Sequence, residues 1–153
     1  MRSIRFIEDD GGRIAAGFKG KAGDCVCRAV SVASGRSYAE VYRELAQGNS
    51  AQRASKRTSK RAASAGGGVN TGRKWFKDYM TRIGFRWVPT MAIGSGCKVH
   101  LRSDELPPGR LVVMLSRHAA AVLDGVLHDT HDSSRDGTRC VYGYYQLEQR
   151  TVT

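Results

Sequence analysis

The chain has 153 residues, 25 Lys and Arg against 14 Asp and Glu, and a formal net charge of +11. That length fits one domain with a sizeable core. No apolar run is long enough to span a membrane, and the N-terminus MRSIRFIEDDGG lacks the apolar core and cleavage site of a signal peptide, so a cytoplasmic, soluble protein is expected.

Two short strands, Arg2–Glu8 and Arg13–Phe18, are expected around the acidic turn Asp9-Asp10-Gly11-Gly12. GDCVCR (23–28) then looks like a helix start. Asp24 stands where an N-cap accepts backbone N–H bonds, and Cys25 where the helix dipole favours a thiolate. The helix should run from Cys25 to Ser34, with Val26, Ala29, Val30 and Ala33 buried and Gly35 ending it. Ser37 and Glu40 have the spacing of a capping box for a second helix, with Val41, Tyr42 and Leu45 as its buried stripe.

From Gln47 to Gly68 the periodicity vanishes, and AQRASKRTSKRAASAGGG holds no large apolar residue. A basic, mobile insertion at about 48–69 is expected, interrupting the single domain rather than dividing it. The wider segment Arg53 to Lys77 carries eight cations and no acid, a pattern suited to nucleic acid or to a solvated face. Thr71 can cap a third helix bearing Trp75, Phe76, Tyr79, Met80 and Ile83, closed by Gly84.

Strand character returns at FRWVP (85–89), and PPG (107–109) marks a turn after a short helical turn at 103–106. Strands follow at 111–116, 118–123, 126–130 and 139–147, with Asp124-Gly125 as a hairpin turn and another turn at Ser134 to Gly137. Helices first and an antiparallel sheet afterwards make an α+β layout.

A cysteine nucleophile needs a base, and the base needs an orienting group. With a two-residue turn at Asp124-Gly125, Ala120 faces Asp129, so Asp129 becomes a diagonal neighbour of His118 and His131 lies opposite it. Asp132 points the other way and ranks second as the orienting acid. His118, Asp129 and His131 also invite a metal reading, but their spacing matches no zinc signature, and neither metal nor cofactor is expected. Cys27 should face away from Cys25 as a structural residue. Cys97 and Cys140 are expected as buried, reduced thiols.

GDCVCRAVSVASG (23–35) and GRLVVMLSRHAAAVLDGVLHDTHDSS (109–134) resemble the papain-like cysteine peptidase superfamily, in particular its compact NlpC-type and bacteriocin-processing members and related proteins of phages and bacteria. The resemblance covers about half the chain by motif. It implies helices packed on a C-terminal antiparallel sheet, Cys25 as nucleophile, His118 as general base and acid, and Asp129 fixing the imidazole. It also implies attack on an amide carbon of a peptide or protein substrate through a thioester, in a bacterial or phage-infected cell. One departure stands out: GFKGKAGDC (17–25) has lysines and lacks the glutamine that many such enzymes place before the nucleophile. The alternative is a basic, non-hydrolytic protein that binds nucleic acid or regulates on a peptidase-like scaffold.

Overall fold

The computed structural model describes residues 4–18, 24–51, 69–92 and 94–148. Its helices are α1 (Cys25–Ser34), α2 (Tyr38–Ala51) and α3 (Lys74–Arg82). Its strands are β1 (Arg5–Glu8), β2 (Phe85–Pro89), β3 (Val99–His100), β4 (Arg110–Leu115), β5 (His118–Leu123), β6 (Val126–Asp129), β7 (Cys140–Val141) and β8 (Gly143–Leu147). Among the described residues, six strands form one sheet in the order β1-β6-β5-β4-β8-β2, and β3 pairs with β7 in a small second sheet. The large sheet is antiparallel except at its edge, where β1 runs parallel to β6. The molecule is thus α+β.

Alternation along the strands divides the core in two. Val112, Ala119, Ala121 and Tyr145 face the helices, meeting Val26, Val30, Val41, Leu45, Phe76 and Met80. Leu111, Val113, Ala120, Val122 and Leu127 face the other way and are covered by Ile4, Leu101, Leu106 and Val141. The central strands are therefore apolar on both faces, which is why LVVML and AAAVL read as continuous runs.

α1 lies against β5 and β4, and its two ends are tied to opposite ends of their hairpin. At the C-terminal end, Arg110 on β4 donates from Nε to the Ala33 carbonyl (2.7 Å) and from an Nη to that of Val32 (2.8 Å). These carbonyls have no partner within the helix, so the guanidinium satisfies them and fixes the helix on the sheet. Gly35 ends α1 at φ +76°, a left-handed geometry that glycine adopts without strain. Ten residues at 1.5 Å each then carry the N-terminus about 15 Å back along the hairpin, toward the turn between β4 and β5.

Several expectations need correction. Residues 11–17 form turns rather than a strand, because the Asp9 and Asp10 carboxylates accept the N–H groups of Gly11, Gly12 and Ile14 and so hold the chain folded. α2 continues through Ala51, past the expected start of the insertion. Gly48 survives inside it because the Trp75 ring fills the space where a Cβ would stand, 2.2 Å from the nearest ring carbon. Ser37 does cap α2, accepting the Glu40 N–H at 3.2 Å. Thr71 does not cap α3, whose N-cap position is Arg73. The strand expected over 139–147 breaks at Tyr142, whose N–H turns to the Met114 carbonyl.

Cys97 and Cys140 are joined in a disulfide with Cα atoms 5.9 Å apart, not left as buried thiols. The β3–β7 pairing, Val99 opposite Val141 and His100 opposite Cys140, brings them together, and a two-residue strand gives no periodicity by which to foresee it. No helix among the described residues is long and apolar enough to cross a membrane.

Candidate active site

Cys25 is the first residue of α1 and is half-buried. Asp24 occupies the N-cap position, but its side chain makes no capping hydrogen bond, contrary to expectation. Its carboxylate, only 1% exposed, is taken by other partners. Tyr38 Oη donates to it at 2.5 Å, Arg13 reaches it at 3.4 Å, and Arg28 pairs with it one helical turn on. Two guanidiniums and a hydroxyl thus balance the negative charge. The first-turn N–H groups keep their positive end beside the sulfur.

His118 opens β5 immediately after the two-residue turn Ser116-Arg117. Its Nε2 lies 2.6 Å from Asp129 Oδ2, leaving Nδ1 as the ring nitrogen for the sulfur. The hairpin register produces this pairing. Leu123 faces Val126 and Ala121 faces His128, so Asp129 falls opposite Ala120 and diagonal to His118. Asp129 accepts further bonds from Ser133 Oγ (2.8 Å) and the Thr130 N–H (2.7 Å), and an Arg28 Nη lies 3.6 Å from its other oxygen.

Charge is distributed accordingly. Burial pushes the Cys25 thiol up, but hydrogen bonds from His118 and the Ala119 N–H, with the His118 and Arg28 charges, outweigh it and hold the thiol below its ordinary range. Burial opposes protonation of His118, yet the Asp129 and Cys25 partners raise the ring to about 9. Burial likewise raises Asp129, and the His118 and Ser133 hydrogen bonds more than reverse it. The three shifts all run toward a thiolate and an imidazolium backed by a carboxylate, a linked set whose protons belong to the group as a whole.

The structure therefore brings Cys25, His118 and Asp129 together. Asp132 is turned away, its carboxylate accepting the Ser134 N–H and hydroxyl. His131 does come near His118, with ring centroids 5.4 Å apart. Donor atoms of His118, Asp129 and His131 lie within 4.8 Å of one another, a set that can hold a cation. But two ligands at ~2.0–2.1 Å from a tetrahedral zinc stand about 3.3 Å apart. The 2.6 Å between His118 and Asp129 is the spacing of a shared proton.

Cys27 is buried, faces Tyr38, and is pushed by that burial to about 12. Arg28 and Ser133 were not anticipated from the sequence. Arg28 had a legible signal, since it sits four residues after Asp24 and three after Cys25. Ser133 had none, because its approach depends on how the chain turns after β6.

A cleft of about 330 Å³ opens over the pair, with Val26, Val69, Met114 and Leu115 as apolar walls and Thr71 and Arg117 as polar ones. A larger recess of about 560 Å³ lies at the far end of the β4–β5 hairpin, beside Gly109 and Asp124, and no cysteine or histidine among the described residues lines it. Of the oxyanion donors anticipated, the lysines of residues 17–25 lie outside the described residues. So do Arg53, Lys56, Arg57, Lys60 and Arg61 of the basic segment, while Lys74 pairs with Asp78 at 2.9 Å on an exposed face of α3. Comparison with protein-family models, curated proteins and solved structures finds no match to this chain.

Proposed function

We propose that the protein is a cysteine hydrolase of the papain-like kind, a peptidase or amidase, with Cys25 as nucleophile, His118 as acid and base, and Asp129 holding the ring. The observation that carries this reading is the continuous contact from Cys25 through His118 to Asp129, at the end of a cleft. A buried cysteine beside an uncharged histidine would be packing. A cysteine whose ionisation is lowered by a protonated, carboxylate-backed imidazole is poised for attack.

The reaction balances through these groups alone. The Cys25 thiolate attacks the acyl carbon, and the C–N bond breaks as the His118 imidazolium gives its proton to the leaving amine. Water then attacks the thioester while His118 takes a proton from it, releasing a carboxylic acid and restoring the thiolate–imidazolium pair. The Cys25 backbone N–H, which the helix cannot use internally, supplies one donor to the oxyanion. An amine in place of water would make the same site a transferase. The setting that fits the resemblance is a bacterial or phage-infected cell, where the Cys97–Cys140 bridge would meet a reducing cytoplasm.

The test is hydrolysis of a pooled peptide library, read by mass spectrometry, with the wild type and Cys25→Ala. Cleavage by the wild type and its loss, by about 10³-fold or more, in a Cys25→Ala protein of unchanged circular dichroism is expected. Equal cleavage by the variant would refute the assignment.

A further inference from the structure

We propose that Arg117 makes this cleft selective for anionic acyl substrates, those carrying a carboxylate beside the bond attacked. The proposal rests on the hydrolase reading and adds its substrate class. Arg117 lines the cleft together with Cys25 and His118. It is exposed, and its guanidinium makes no ion pair or hydrogen bond among the described residues.

Its backbone is unusual. Ser116 and Arg117 are the whole connection between β4 and β5, and Arg117 sits at φ +56°. That left-handed region is comfortable for Gly and tolerable for Asn or Asp, but costs an Arg about 1 kcal/mol. A turn that needs this geometry is filled without strain by glycine, as Gly125 does at φ +78° in the next turn of the same sheet. A strained side chain directly before a proposed base is the kind of outlier that points to a role for the side chain itself.

The turn is also held in place. An Arg139 Nη donates to the Ser116 carbonyl at 2.6 Å, pinning the loop from the β7 side and adding a second cation behind it. Among the described residues, no carboxylate lines the cleft. Asp129 stands behind the imidazole, 3% exposed and engaged by His118, Ser133 and Thr130. A ligand in the cleft therefore meets apolar walls, the protonated ring and the Arg117 guanidinium. A carboxylate on the substrate finds a fork of donors there that matches its two oxygens.

Iodoacetate and iodoacetamide test this directly, since they differ only in bearing a carboxylate or an amide one carbon from the reacting atom. Rates at Cys25 in the intact protein are read by tandem mass spectrometry, which separates it from Cys27. The ratio of the two rates, referred to that of glutathione, divides out any change in the nucleophile. The wild-type ratio should favour the anion. Arg117→Asn, which tolerates the left-handed backbone, should lower it about three- to tenfold, and Arg117→Lys should retain part of it. A ratio equal in wild type and Arg117→Asn overturns the proposal and leaves the hydrolase reading intact. If Cys25 reacts with both reagents more slowly than glutathione does, the thiolate itself is absent and both fall.

Discussion

At the scale of single residues, Asp129 decides the chemistry of His118. Its carboxylate accepts a hydrogen bond from the Nε2–H at 2.6 Å and is held for that task by Ser133, Thr130 and Arg28. Against the cost of burial, this contact and the Cys25 sulfur raise the ring's pKa from its ordinary value of 6.5 to about 9. Stability is tied to the same proton. Because the folded value is the higher, the contribution is complete below pH 6.5 and disappears as pH climbs through about 9. Asp129→Asn keeps the shape and removes the charge. His118 should then titrate within about one unit of 6.5, as NMR of its ring protons would report, and hydrolysis should fall about a hundredfold. An unchanged His118 titration would show that the carboxylate does not hold the proton.

At the scale of elements, the site exists because α1 is clamped at both ends. Arg110 holds its last carbonyls at one end of the β4–β5 hairpin, and Asp24, through Arg28, Tyr38 and Arg13, fixes its first turn at the other. α2 packs against α1, and α3 meets α2 where Gly48 lies beneath the Trp75 ring. Gly48→Ala would drive a methyl to 2.2 Å from that ring and force the two helices apart. A loss of about 1–3 kcal/mol in a urea titration is expected, although alanine is the better helix former. A gain in stability would mean that the ring moves aside freely.

The same elements show what sequence patterns can and cannot convey. α1 and β5 were legible to the residue because apolar spacing, a terminal glycine and the Asp-Gly hairpin all agreed. The diagonal from His118 to Asp129 followed from turn length alone. What failed depended on contacts distant in sequence. The Asp24 side chain looked like a cap until Tyr38 and Arg13 claimed it, and residues 48–51 read as the start of the insertion, whereas α2 carries on through Gly48 beneath the Trp75 ring. β7 fell inside the strand expected over 139–147, but β3, two residues long, gave no signal, and its pairing with β7 and the Cys97–Cys140 bridge went unseen with it.

Across the whole molecule, the sheet separates two apolar layers and leaves polar chemistry at one end of its central hairpin. There the helix N-terminus, the Ser116-Arg117 turn and the end of β6 converge, and the net charge of +11 gives the surrounding field the sign that suits a thiolate and an anionic ligand. With Cys97 and Cys140 bonded to each other, only Cys25 and Cys27 remain as free thiols, and Cys27 is buried and raised to about 12. The pH dependence of alkylation by iodoacetamide therefore reports on Cys25 almost alone. The central claim is tested most directly by that profile, measured in the wild type and in His118→Ala. The wild-type rate should rise with an apparent pKa below the ordinary thiol value of 9, and His118→Ala should move that rise upward in pH. Profiles that coincide at or above 9 in both proteins would contradict the account.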